Sequence, residues 1–294
     1  MAPLLSKKQV IKKLESIEDL PSLPVVMAKL NTIIQNVDSS ASDVAVVMEE
    51  DPAIMTRVIK LVNSSFYSSI SGEPITNVKH AVVRLGYDTI RDIALTTSVF
   101  STFKGNHAKV FDRKQFWKYC ICTGLIANSV YEISDVTPGM ISGDHVFLAG
   151  LLHDIGKIIL EQFFHDEFSK ILEVSHDNDT PLIYVEREMI GMCHSEIGAW
   201  LGKKWNLNAD LLACIEFYPN PQEAPEVYRP LVNLIHLSDY IANFKPLGQS
   251  GNPSPPPYYE SAWAELGLEV SQINEILQKA EEAAERSQIL LSLG

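Results

Sequence analysis

The stretch Phe147–Leu160, FLAGLLHDIGKIIL, decides how this chain is read. Leu148, Leu151, Leu152, Ile155 and Ile159 recur at i, i+3, i+4, i+7 and i+11, the apolar stripe of a helix facing a core. His153 and Asp154 interrupt that stripe as an adjacent polar pair. Inside an apolar core such groups are costly unless partners satisfy them. An imidazole beside a carboxylate also offers a metal one nitrogen and one oxygen ligand. Gly156 weakens the helix just after the pair, and Lys157 brings a cation three residues beyond Asp154. The residues alone leave two readings open: a satisfied polar pair in a core, or metal-centred chemistry.

Working outward, the 294 residues suffice for two domains or one large one. Apolar residues make up 46% and charged residues 21%, the balance of a globular protein rather than a disordered one. The net charge of −13 repels phosphate backbones and anionic membrane surfaces, which argues against a nucleic-acid binder. Lys7, Lys8, Lys12 and Lys13 form the one dense basic cluster and read as a solvated helix face. No apolar run reaches the roughly 18–20 residues of a membrane span, and with polar Ser6, Lys7, Lys8 and Gln9 after a short apolar patch a secretory leader is not expected. Cys120, Cys122, Cys193 and Cys214 form no C-x-x-C pair and read as small buried hydrophobes. A cytoplasmic location is expected.

Helical spacing dominates the whole chain and no sustained alternation of period two occurs, so the expected fold is all-α, a multi-helix bundle. A first helix, Ser6 to about Ile17, precedes prolines 21 and 24, and a second runs from Val25 to Val37. Ser42 is placed to cap Asp43–Glu50, and Asp51-Pro52 to restart the chain. Asn63-Ser64-Ser65 reads most simply as a helix stop, with exposed Phe66 and Tyr67 beside it as a candidate binding edge. Thr76 opens a helix that Gly86 ends, and Asp88 caps the next. A polar link at 103–109 sets a soft boundary between an N-terminal helical part, 1–105, and a second helical subdomain, 106–245. Loop signals at 137–144 lead into the central helix. Helices follow at 116–130, 168–175, 182–190, 194–205, 209–217 and 228–244. Residues 246–257, rich in Gly, Pro and Ser, read as a flexible or polyproline-like loop before a last helix, about Glu269 to Leu291. Together 246–294 are expected to pack on the domain.

Beyond the doublet, the residues able to carry chemistry are His194, His236 and Asp239, with the aromatics Tyr119 and Tyr218. Helices of a bundle can project such groups into one pocket. Each also has a plain structural reading: His194 as a polar helix start, Asp239 as a paired helix carboxylate, His236 as a core histidine. His80, His107, His145, His165 and His176 lie in polar or unpatterned contexts and are expected to be solvated.

Several longer motifs resemble the HDOD family, whose domain is related to HD-domain phosphohydrolases. They are LPSLPVVMAKLNTIIQN, EEDPAIMTRVIKLVNSSFYS, PITNVKHAVVRLGYDTIRDIAL, FWKYCICTGLIA, FLAGLLHDIGKIIL, CHSEIGAWLGKKWNL and VNLIHLSDYIA, in that order over roughly residues 16–245. The resemblance implies an all-helical fold and a bacterial signalling or regulatory module without established enzymatic activity. The related enzymes hold metal through a His, a His–Asp doublet, further histidines and a late Asp. By position His153 and Asp154 match the doublet, His194 a later histidine, Asp239 the last aspartate, and Lys157 the lysine that often follows the doublet. The first histidine falls at Tyr119, or with a one-residue slip at Cys120. The later histidine pair falls at Phe217 and Tyr218, and both imidazoles are missing.

A phenol is a poor ligand at neutral pH, so the resemblance implies that these positions are vestigial. A two-metal clamp is not expected. One divalent transition-metal ion on His153, Asp154, His194 and Asp239 is the most the set supports. Without an ion, Lys157 or the Tyr119 hydroxyl is expected to bond to one of the two carboxylates, which otherwise repel. The functional expectation is a stand-alone, non-catalytic signalling module that acts through protein partners and takes a small ligand at most. The alternatives are a one-metal phosphohydrolase or phosphodiesterase acting on a nucleotide, with Asp154 and Lys157 as its working groups, and a nucleotide second-messenger sensor that does not hydrolyse.

Overall fold

The computed structural model describes residues 3–18, 40–50, 75–86, 111–136 and 143–291, together with single residues and short runs between 20 and 103. The readings at prolines 21 and 24, most of 25–37, Asp51-Pro52, Ser64–Gly72, Asp88, 104–109 (with His107) and 137–142 lie outside the described residues. Among the described residues every regular element is helical, and no helix is long and apolar enough to cross a membrane.

The chain clusters into two units, Met1–Leu20 with Gly105–Ala284, and Pro21–Lys104 with Glu285–Gly294. In the smaller unit α2 (Ala41–Glu49) packs on α3 (Val78–Leu85), burying Val44 and Met48 on one side and Val78 and Ala81 on the other. The cap of α2 is Ser40 rather than Ser42, because Asp43 reaches back from the third helical position to the Ser40 backbone N–H at 2.7 Å. Asn77, not Thr76, caps α3 by accepting from the His80 N–H.

The first twenty residues belong with the larger unit, unlike the grouping expected from sequence. Helix α1 (Lys7–Glu15) docks there: the Leu4 N–H donates to the Met189 carbonyl, Lys7 pairs with Glu196 at 2.7 Å, and the Lys13 ammonium sits over the Phe164 ring. The other helices of this unit are α4 (Arg113–Ile133), α5 (Gly143–Leu152), α6 (Ile155–Phe163), α7 (His165–Asp177), α8 (Leu182–Ile190), α9 (His194–Lys204), α10 (Ala209–Phe217), α11 (Arg229–Phe244), α12 (Glu260–Glu265) and α13 (Ile273–Leu291) as far as Ala284. Helix α12 is a short element with no periodic signal of its own.

Helix α4 is the axis of this unit. It is buried over most of its circumference and packs against α5 and α11, while α6 packs on α9. Two glycine contacts set these spacings. A Cβ on Gly150 would collide with the Gly124 backbone of α4, and one on Gly156 with the His194 carbonyl of α9. Gly156 is therefore less a weakness in its helix than the point that lets α9 approach the His–Asp doublet.

Candidate functional site

The doublet lies at the break between α5 and α6, with Asp154 as the residue before α6 and its carbonyl accepting from the Lys157 N–H at 2.9 Å. Both side chains are fully buried. Around them α4 brings Tyr119, α6 Lys157, α9 His194 and α11 Asp239 and Asn243, while Tyr218 follows the last residue of α10.

Each polar group has a partner. Lys157, itself completely buried, donates to Asp154 Oδ2 at 2.6 Å and to the Ser250 carbonyl at 3.1 Å. The Tyr218 hydroxyl donates to Asp154 Oδ1 at 2.5 Å and lies 2.8 Å from His194 Nε2. Burial alone would raise the Asp154 pKa, yet the Lys157 ammonium, with His153 and His194, holds it well below the usual carboxylate range. Burial pushes the Tyr218 phenol up, and the Asp154 charge pushes it further, so it stays a donor.

His153 Nδ1 faces the Gly150 carbonyl at 2.7 Å, a partner that only accepts. Burial lowers its pKa to about 4 against the pull of Asp154, so at neutral pH Nδ1 carries the proton and Nε2 accepts. That Nε2 meets the Tyr119 hydroxyl and Asp239 Oδ1, each at 3.3 Å. Burial raises the Asp239 pKa from 3.8 to about 8, opposed by the Asn243 amide, so the carboxyl is protonated near neutrality. The two carboxyls therefore escape mutual repulsion, one as the anion of Lys157 and the other as a neutral acid.

Sequence reasoning missed three participants. Glu186, fully buried on α8, accepts from the His194 backbone N–H at 2.8 Å and from Nδ1 at 2.6 Å. Its signal was a charge on the apolar face shared by Leu182, Val185, Met189 and Ile190. Asn243 donates to the Tyr119 hydroxyl and to Asp239, and Ser250 donates to Asn243 Oδ1.

Ser250 belongs to the stretch read as flexible, which is instead tied down. The Gln249 N–H donates to the Gln115 carbonyl, and Asn252 Oδ1 accepts from the Leu182 N–H. Gly248, at φ +103°, comes so near α4 that a Cβ would strike the Tyr119 N–H.

Of the expected positions, Tyr119 rather than Cys120 faces the doublet; Cys120 is a buried thiol whose pKa burial raises far above its ordinary value. The Tyr218 hydroxyl reaches Asp154, and Tyr218 lines a cavity of 160 Å³ together with Phe217, His194 and Asp239. His236 is a satisfied core imidazole: Nδ1 donates to the Tyr218 carbonyl, Nε2 accepts from the Tyr259 N–H, and burial lowers its pKa to about 4. His145 is not solvated. It is buried between Asp210 and the Asn208 amide. His165 is half-buried; His80 and His176 are exposed.

The donor atoms of His153, Asp154 and Asp239 lie within 4.8 Å of one another, the one such cluster among the described residues. Their chemistry does not fit a tightly held divalent ion. Both Asp154 oxygens already serve Lys157 and Tyr218, and Asp239 must first lose a proton. His194 is engaged at both ring nitrogens, by Glu186 and Tyr218. A divalent ion wants four or more free donors.

An all-helical unit with a His–Asp doublet at a helix break is what the resemblance to the HDOD family implies. The sequence matches the HDOD domain over residues 20–221. The chain belongs to the HDOD domain family. It is 26% identical over 235 residues to an uncharacterised protein of Treponema pallidum (strain Nichols), covering 78% of this chain and 43% of that one, so it spans less than half of that relative.

The fold resembles that of an HDOD domain protein with unknown function from Geobacter sulfurreducens (TM-score 0.74, 21% identity, 98% of this chain and 96% of the other). It also resembles a candidate signal transduction protein from Marinobacter aquaeolei VT8 (0.77, 21%, 97% and 64%) and a candidate phosphohydrolase from Shewanella amazonensis SB2B (0.68, 23%, 97% and 96%).

Proposed function

We propose that this chain is a non-catalytic signalling module that acts by binding a protein partner. The observation carrying the reading is that Tyr218, at a position where the related enzymes hold an imidazole, donates to Asp154 Oδ1 at 2.5 Å while Lys157 donates to Oδ2 at 2.6 Å, where hydrolysis would need a carboxylate free to take a metal. Tyr218 and Tyr119, in place of imidazoles, complete the same internal satisfaction.

Elemental analysis of the purified protein, with turnover of generic phosphoesters and cyclic dinucleotides in added Mn²⁺ or Mg²⁺, tests the reading. Sub-stoichiometric metal and background turnover are expected. One metal per chain, with turnover that Asp154→Ala abolishes, would establish the phosphohydrolase instead.

A further inference from the structure

A strongly apolar concavity lies away from the doublet, between the second half of α11 and the first turns of α13. Tyr240, Phe244, Tyr258, Trp263, Val270 and Ile273 line a trough of 640 Å³ in which Glu260 is the one charged side chain. Four of the nine exposed large hydrophobics among the described residues meet here: Phe244 is 59% exposed, Val270 78%, Ile273 38% and Tyr258 36%. Solvated apolar residues are ordinary when scattered; gathered in one concave strip they mark a binding surface.

The trough is built rather than incidental. Gln272 holds the entry of α13 to the Ile133 carbonyl, and Lys245 pairs with Glu281 at 3.0 Å. These two pins bracket residues 273–277, so the gap beside α11 is kept open. Tyr240 packs on Tyr258 at 4.9 Å and stacks with Phe244, giving the floor a fixed aromatic surface.

Shape and charge name the occupant. Leu237, Tyr240, Ile241 and Phe244 run at i, i+3, i+4 and i+7, about 10 Å along α11, the length of two turns of a docked helix. Between Phe244 and Glu282 the chain carries six glutamates against two lysines, and both lysines are paired, Lys245 with Glu281 and Lys279 with Glu282. Glu260 in the lining and Glu269 beside Val270 have no basic partner among the described residues. We infer that this trough is the docking site for an amphipathic partner helix whose apolar face is flanked by Lys and Arg. The inference rests on the reading of the chain as a partner-binding module, and it names the surface and the partner's chemistry.

The test is a display library of 18-residue amphipathic helices, with fixed apolar positions at i, i+3, i+4 and i+7 and randomised flanks, selected against the whole chain. Enrichment of Lys and Arg in the flanks is expected, with affinity falling as salt rises and a change in Trp263 fluorescence on binding. Val270→Asp and Phe244→Asp, both at exposed positions, should each weaken binding about tenfold or more, with melting temperatures near that of the parent. Binders untouched by both substitutions, acidic flanks, or no binders at all would overturn the site. So would a wild-type dimer that Val270→Asp dissociates, because a second copy would then cover the trough. Surviving binders would leave the chain a partner-binding module with its surface elsewhere; metal-dependent turnover would count against the module itself.

Discussion

Helix α11 presents two opposite solutions to the same problem. Asp239 and Asn243, four residues apart, turn toward the buried doublet, where each polar group finds a partner. Tyr240 and Phe244, one position further on, open onto a trough where large apolar groups lie in water. In the first region charge has been turned inward and neutralised; in the second, apolar surface has been left outward and unmatched. Under the proposed function, the unmet surface is where a partner reaches the chain, and the buried doublet is part of the scaffold.

The sharpest way to break that contrast is to take a partner from the doublet. Lys157→Met leaves the Asp154 carboxylate buried without its cation, and a loss of about 3–5 kcal/mol in urea unfolding is expected. The double variant with Asp154→Asn should recover most of the loss, since the orphaned charge goes too. A Lys157→Met protein as stable as the parent would mean that the pocket is not held by that ion pair. Tyr218→Phe removes one hydroxyl that serves both Asp154 and His194, and about 1.5–3 kcal/mol should be lost by the same measurement.

How far the sequence carried the contrast depends on where each partner sits. The doublet, Lys157, His194, Asp239 and both tyrosines were legible because motif order places them. Lys157 as the bonding partner of a carboxylate followed from the need to offset two acids in one pocket. Glu186, Asn243 and Ser250 were not read, since each enters through tertiary packing of elements distant in sequence. The stretch 246–257 looked flexible by composition, yet the Gln249 N–H is bonded to Gln115 and the Ser250 carbonyl to Lys157, which no local signal reveals. His145 misled for the same reason, its partner Asp210 lying 65 residues away. The trough was invisible because α12 is short and because helical spacing tells that a face is apolar, not whether anything covers it.

Proton linkage sharpens the contrast further. Asp239 has a folded pKa of about 8 against 3.8 unfolded, so between these values the native chain binds the extra proton. Its contribution to stability is whole below about pH 4 and is lost as pH rises toward 8. His153 and His236, lowered to about 4, act in the other direction and cost stability as pH falls from 6.5 toward 4. Asp239→Asn keeps a neutral side chain at every pH and leaves both histidines in place. The stability of wild type relative to this variant should therefore fall between pH 6 and pH 7, by about 1.4 kcal/mol if one full proton is linked. Parallel pH profiles for the two proteins would show that Asp239 is ionised in the fold.

The smallest expected effect is the most telling for the other face of α11. Val270 is 78% exposed and precedes α13, so Val270→Asp removes almost no buried area and strands no polar group. Its effect on unfolding free energy should stay within about 0.5 kcal/mol, against several for Lys157→Met. A loss of 2 kcal/mol or more would mean that the valine is buried in the protein as it exists in solution, by a second copy or by another part of the chain. The trough would then be a packed interface, and the difference between the two faces of α11 would vanish. If instead stability holds while helix binding is lost, folding and association are carried by opposite faces of one helix.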